Sequence, residues 1–248
     1  MTLTSDDTRA PTFVNLFNFR DIGGYPGLDG RIVRPRRVYR SDSLHRLAGA
    51  DEATFRALGI RTVIDLRRPS EIARHGRVPD YDGIDYRHVY LVHQEWSEIP
   101  YDEEKGEARY LADRYHDLTE QAADGIVTAL TLLSEEETAP VVVHCAAGKD
   151  RTGVVCALTL ALLGVPDEII AEEYALTTVG MKRFLAWYQA RFPTRRTVPA
   201  YFASPPEAMR IFLAELRERY GSVERYVLDA GLPAERITML RRHLLAPA

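Results

Sequence analysis

Three short apolar runs, each flanked by charge, punctuate the middle of the chain: "RTVIDLRR" from Arg61, "IDYRHVYLV" from Ile84 and "APVVVHC" ending at Cys145. They are too short for helices and rich in β-branched residues, which predicts buried strands. Between the last two, Tyr110, Leu111, Tyr115, Leu118, Ile126, Leu130 and Leu133 recur at helical spacing and predict a helical stretch from Glu107 to Glu135 with a break near Gly125. "GADEATFRALGI" carries the same spacing, with Gly59 as its stop. After Val165 the pattern reads as helical to the end of the chain, with Pro166, Pro205 and Pro233 at helix starts and Gly221 and Gly231 at helix ends. Strands alternating with helices predict an α/β fold, a largely parallel central sheet flanked by helices, with ligand sites at the carboxyl ends of the strands. Cys145 stands at such an end.

The remaining segments read differently. Residues 1–12 are polar and predict a loose arm. "FNFRDIGGYPGLDGRIVRPRRVYRSDSL" is broken by glycines and prolines, so turns and short extended pieces fit it best. The C-terminal helices need a surface to pack on, which makes residues 1–248 a single domain.

Composition narrows the function classes. A net charge of −4 argues against a dedicated nucleic-acid binder, although "RPRR" (Arg34 to Arg37) and "RFPTRR" (Arg191 to Arg196) are locally basic. The longest apolar run, Val154 to Val165, is too short for a bilayer span of about 20 residues. "MTLTSDDTRAPTF" lacks the pattern of a signal peptide. With only two cysteines, Cys145 and Cys156, free thiols in a reducing compartment such as the cytoplasm are expected. Histidines are scattered, so neither a metal nor a cofactor is implied.

The chemistry concentrates in "HCAAGKDRTG", residues 144–153. Between Cys145 and Arg151 five residues can curl so that successive N–H groups face inward at a helix N-terminus, a cradle for an oxyanion such as phosphate. Ala146, Ala147 and Gly148 keep the loop free of bulk, Arg151 adds a bidentate fork, and Lys149 adds a further cation. The same field lowers the pKa of a thiol, so Cys145 is expected to be a thiolate nucleophile. Thr152 is placed to donate to its sulfur and His144 to fix the loop backbone. Cys156, among Val155, Leu158 and Thr159, reads as core. Asp65 either orients a loop arginine or caps the next turn. Asn18, Arg20 and Asp21, ahead of a glycine pair, either brace the cradle or have a purely structural role in the turn. In-line attack on phosphorus with a phosphocysteine intermediate is the reaction this arrangement suggests. A silent phosphate-binding module and a sulfurtransferase or arsenate-reductase-like thiol enzyme are the rival readings.

This loop resembles the signature of the protein tyrosine phosphatase superfamily, and in detail the version found in bacterial tyrosine/serine phosphatases of the mycobacterial phosphotyrosine phosphatase B family. "FNFRDIGGY", "VYRSDSL", "LGIRTVIDLRRPSEI" and "YGSVERYVLDAG" resemble other blocks of that family. The resemblance implies a cysteine-phosphatase fold with a helical lid-like insertion, here residues 167–220. It also implies Cys145 as nucleophile, Arg151 as phosphate clamp and residues 146–151 as the backbone cradle. The general acid stays open. Related enzymes often take an aspartate from the loop after the strand that corresponds to "DYRHVYLV", where this chain offers Glu95, Glu98 and Asp102. Asp150 is the other candidate, by its likeness to myotubularin-like lipid phosphatases, and its alternative is a structural pairing with Arg20 or Arg40. The substrate implied is a phosphorylated protein, phosphotyrosine first, with an inositol lipid second.

Overall fold

The computed structural model describes residues 11–101, 103–193 and 203–248. The expected N-terminal arm therefore falls, but for its last two residues, outside the described residues. The strands are β1 (Arg20–Asp21), β2 (Arg31–Val33), β3 (Val38–Ser41), β4 (Thr62–Asp65), β5 (Asp85–His88), β6 (Val141–His144) and β7 (Leu245–Pro247). Five of them form one sheet in the order β1-β3-β6-β4-β5, in which β3, β6, β4 and β5 run parallel and β1 is antiparallel. The valine run is the middle strand. Its pleat sends Val141 and Val143 into one core and Val142 into the other.

Three parallel strands match the apolar runs, but only β4 and β6 are buried as expected: β5 is the edge strand of the sheet, and its residues are exposed but for the half-buried Tyr86. The fourth, β3, comes from the stretch that predicted only turns and short extended pieces. It is fully buried, yet half of it is Arg40 and Ser41, so no apolar run announces it. The reading of helix to the chain end is also corrected: β7 pairs antiparallel with β2, Val33 facing Leu245.

The helices are α1 (Ala50–Ala57), α2 (Pro69–His75), α3 (Gly106–Gln121), α4 (Ala123–Ser134), α5 (Asp150–Leu162), α6 (Asp167–Ala175), α7 (Thr177–Arg191), α8 (Pro206–Tyr220), α9 (Val223–Asp229) and α10 (Ala234–Leu244). The break expected near Gly125 occurs instead at Ala122, whose φ of −112° and ψ of 24° end α3. Gly125 lies inside α4, where a Cβ would sit 2.7 Å from Leu91 Cδ2 and 3.1 Å from the Tyr90 carbonyl; close packing on the strand 5 side explains it. α5 is buried from Thr152 through Leu160, as a helix enclosed by neighbours must be. Of residues 167–220, α6 and α8 are core elements, α8 burying Met209, Phe212, Leu213 and Leu216. α7 alone stands at the periphery, its Phe184 and Trp187 against Phe17 at 5.6 and 5.5 Å.

Two predictions arise from these contacts. A Cβ at Gly180 would lie 2.3 Å from the Phe17 carbonyl oxygen, so Gly180→Ala must push α7 outward. A loss of about 1–3 kcal/mol in urea unfolding is expected, with a change in tryptophan emission from Trp187; unchanged stability would refute the close contact. The second concerns Asp65, fully buried at the end of β4, which accepts from Arg67 Nε at 2.9 Å, Arg67 Nη2 at 2.6 Å and Tyr86 Oη at 3.0 Å. Burial pushes its carboxyl up, but the neighbouring His144 charge and the Arg67 hydrogen bonds outweigh it and bring it down from 3.8 to about 2. A depressed carboxyl stabilises the fold above its unfolded value and loses that contribution as pH falls. About 2 kcal/mol should therefore disappear between pH 3.8 and about pH 2. Asp65→Asn should lack this slope in unfolding measured across that range, and an identical slope would contradict the assignment.

Candidate active site

β6 delivers His144 and Cys145 to the carboxyl edge of the sheet, and α5 opens at Asp150. The loop between them must turn hard against β3. Gly148 has φ +64°, and a Cβ there would lie 2.3 Å from the Ser41 carbonyl oxygen, so only glycine fits. The loop carbonyls turn onto protein donors. Ala146 O accepts from Ser43 N at 3.2 Å, Ala147 O from Asn18 Nδ2 at 3.0 Å, and Gly148 O from Asn18 Nδ2 at 2.8 Å and Arg40 Nη2 at 2.7 Å. Lys149 O accepts from Gly153 N at 2.9 Å. In a trans peptide the next N–H points the opposite way, so the amides of residues 147–150 face away from these donors. Cys145 lies 2% exposed at the start of the loop.

The outer side of the loop rests on buried charge. Glu173 of α6 accepts from Arg20 Nε at 2.7 Å and Arg40 Nη1 at 2.6 Å, all three groups nearly inaccessible. Burial pushes the Glu173 carboxyl up, but the two guanidinium groups hold it below its usual range. Arg20 also bonds Asn18 Oδ1 and Asn18 O, fixing the side chain that holds two loop carbonyls. Asn18 and Arg20 thus brace the loop, one of the two roles the sequence left open for them. Asp21 does not: it accepts from Gly23 N and Arg36 N, a turn at the other end of β3. Asp42, which the sequence did not single out, takes Phe17 N at 3.0 Å and Asn18 N at 3.1 Å.

Arg151 meets a partner the sequence reading missed. Its Nη1 and Nη2 donate to Glu71 Oε2 and Oε1 at 2.6 and 2.9 Å, a parallel fork. Burial disfavours the Arg151 cation, but the Glu71 hydrogen bonds and the Cys145 and Glu71 charges raise its pKa. Glu71 itself is held below the usual carboxylate range: burial raises it, and Arg151 more than compensates. The signal was present in "RRPSEI", where Pro69 opens α2 and Glu71 accepts from Arg68 N, but a capping acid is the ordinary reading of that pattern. Asp65 therefore orients Arg67 and bonds the Arg67 amide, and it is Glu71 that orients the loop arginine.

His144 Nδ1 lies 3.3 Å from the Cys145 carbonyl and Nε2 lies 3.5 Å from Asp65 Oδ2; burial holds the imidazole below its usual pKa. Thr152 departs from expectation, since its buried Oγ1 has no hydrogen-bond partner among the described residues and does not reach the Cys145 sulfur. Cys156 is buried inside α5, and burial pushes its thiol up to about 12.

Asp150 pairs with neither Arg20 nor Arg40. Its Oδ1 accepts from Tyr115 Oη at 2.9 Å and lies 3.4 Å from Lys149 Nζ. A cleft of about 770 Å³ opens over the loop, with Ala146, Ala147, Lys149 and Asp150 at its floor and Phe184, Trp187 and Tyr188 of α7 on one wall. Of the four acid candidates, Asp150 alone among the described residues lines this cleft. Glu95 is exposed and paired with Arg68 at 2.8 Å, Glu98 is exposed, and Asp102 lies outside the described residues. "RPRR" precedes β3 and so sits at the opposite end of the sheet, Arg34 on the Leu245 carbonyl and Arg37 on Glu136. Of "RFPTRR", Phe192 lines the cleft, while residues 194–196 lie outside the described residues. Among the described residues no three His, Cys, Asp or Glu side chains cluster as metal ligands, and no helix is long and apolar enough to cross a membrane.

Residues 11–246 match the model of the tyrosine phosphatase family. The triple specificity protein phosphatase PtpB of Mycobacterium tuberculosis is 30% identical over 92% of this chain and 96% of its own length. A putative tyrosine-protein phosphatase of Cupriavidus necator is 28% identical over 94% of this chain and 88% of its own, and a tyrosine-protein phosphatase of Nostoc commune 27% identical over 83% and 73%. With the cysteine loop, its arginine and their supports assembled at one edge of the sheet, and the match running nearly from end to end, the chain belongs to the tyrosine phosphatase family.

Proposed function

We propose that this phosphatase hydrolyses phosphotyrosine in proteins through a phosphocysteine formed on Cys145. The observation that carries the reading is the loop itself: carbonyls of residues 146–149 turned onto protein donors, amides of 147–150 on the other side, and Arg151 aligned by Glu71. Phosphate oxygens bind those amides and the remaining N–H groups of Arg151, which balances the charge that grows on them in the transition state. The Cys145 sulfur attacks phosphorus in line, the S–P bond forms as the P–O bond to the phenol breaks, and Asp150 gives the leaving oxygen its proton. Water then attacks phosphorus and returns a proton to Asp150, the S–P bond breaks, and phosphate leaves. The aromatic wall of α7 suits the phenyl ring of phosphotyrosine and supports the idea of a cover over the site.

A second reading, an inositol lipid phosphate, draws on Lys149, buried at the cleft floor as an extra cation. "RPRR" gives it no help from the far end of the sheet. An arsenate-reductase-like cycle needs a resolving thiol, and Cys156 is buried with its thiol pushed up to about 12. Two unpaired thiols agree with a reducing compartment such as the cytoplasm.

Release of phosphate from p-nitrophenyl phosphate tests the chemistry. Cys145→Ser should reduce it to background, and Glu71→Gln should cost about 100-fold in kcat by freeing Arg151 from its alignment. Full activity of Cys145→Ser would end the cysteine mechanism. Phosphotyrosine peptides should be turned over faster than phosphoserine peptides or phosphoinositide vesicles, and the reverse order would overturn the substrate assignment.

A further inference from the structure

Two buried tyrosines stand behind Asp150 and have no part in the chemistry above. Tyr115 comes from α3 and Tyr174 from α6, with exposures of 0% and 1%. Tyr115 Oη donates to Asp150 Oδ1 at 2.9 Å, and Tyr174 Oη lies 2.5 Å from Tyr115 Oη. We propose that Tyr115, backed by Tyr174, is a positioning residue that aims the Asp150 carboxyl at the leaving oxygen. The proposal rests on the proton-transfer role given to Asp150.

Hydrogen-bond counting sets the direction of the chain. A phenol has one hydrogen, so Tyr115, in donating to Asp150, must accept from Tyr174. The order is Tyr174 to Tyr115 to Asp150. Both phenols keep their protons, because burial and then the Asp150 charge raise their pKa values above the usual tyrosine range. The aromatic packing immobilises the donor: the Tyr115 ring stands edge-on to Tyr174 at 6.0 Å and to Phe212 at 5.9 Å, with Trp96 at 6.1 Å. Phenylalanine would fill the same volume without burying a hydroxyl, and a buried hydroxyl costs free energy unless it is bonded. Here the Tyr174 hydroxyl is bonded to that of Tyr115, and the Tyr115 hydroxyl to one carboxylate oxygen.

That geometry divides the two oxygens of Asp150. Tyr115 and Lys149 both act on Oδ1, at 2.9 and 3.4 Å, which assigns proton exchange with the substrate to Oδ2. A carboxyl held at one oxygen cannot rotate freely about its terminal torsion, so the other oxygen keeps a fixed bearing over the loop. Three elements, α3, α5 and α6, thus converge on the orientation of one side chain.

Leaving-group dependence separates positioning from a merely structural role. A proton donor matters most when the departing oxygen is strongly basic, so kcat/KM is compared on phenyl phosphate and on p-nitrophenyl phosphate. Tyr115→Phe should lose about 10-fold on phenyl phosphate and little on p-nitrophenyl phosphate. Tyr174→Phe should show the same bias with a smaller loss, and Asp150→Asn the same bias with a larger one. Equal losses of Tyr115→Phe on both substrates, or none on either, would overturn the proposal. If Tyr115→Phe destabilises the fold, Tyr174→Phe carries the test, and an unbiased profile there counts against it equally. Absence of bias in Asp150→Asn would instead remove the acid role of Asp150, a result distinct from failure of the tyrosine chain.

Discussion

Glu173 lies between Arg20 and Arg40, at 2.7 and 2.6 Å, in a region closed to solvent, and the loop between β6 and α5 leans on the two arginines. Arg40 takes a loop carbonyl directly, while Arg20 holds Asn18, which takes two. Removing one member of a buried charge set leaves the others uncompensated, at a cost of about 3–5 kcal/mol. Two cations and one anion leave one net positive charge beneath the loop. Support and electrostatics are therefore one device: the groups that turn the carbonyls outward also make the inner side favourable to an oxyanion.

The dependence runs outward from there. Glu173 belongs to α6, the first helix of the segment that resembled a lid, so the segment contributes to the floor of the site as well as to its wall. Arg20 also reaches Thr177 at the start of α7, and the far part of that helix carries Phe184, Trp187 and Tyr188 into the cleft. Arg46, tied to Asp42, lies 5.6 Å from the rings of both Phe17 and Phe184. Cleft shape and loop shape are thus set by neighbouring parts of one contact network.

How much of this was readable in advance depended on range. "VVVHCAAGKDRTG" told strand, turn and helix at once because each signal is local: a β-branched run, a glycine, then an apolar helix. Asn18 and Arg20 stand out in the sequence by their place before a glycine pair. Glu71 and Glu173 do not, because an acid near a helix start or within a helix is ordinary until an arginine 80 or 153 positions away is folded onto it. β3 was hidden for the same reason, since Arg40 is tolerable in a buried strand only with Glu173 opposite. Tyr115 was legible as a buried helical position, but its hydroxyl carries no signature in sequence. Residues whose meaning is a long-range partner stay silent until the chain is folded.

In the proposed reaction this buried scaffold holds a phosphoryl group on one sulfur. The most direct measurement is mass spectrometry of the intact protein and its peptides after rapid acid quench during turnover of p-nitrophenyl phosphate. A single phosphoryl adduct is expected on the peptide that contains Cys145, formed before steady state. Steady turnover with no adduct, or an adduct on any other residue, would contradict it.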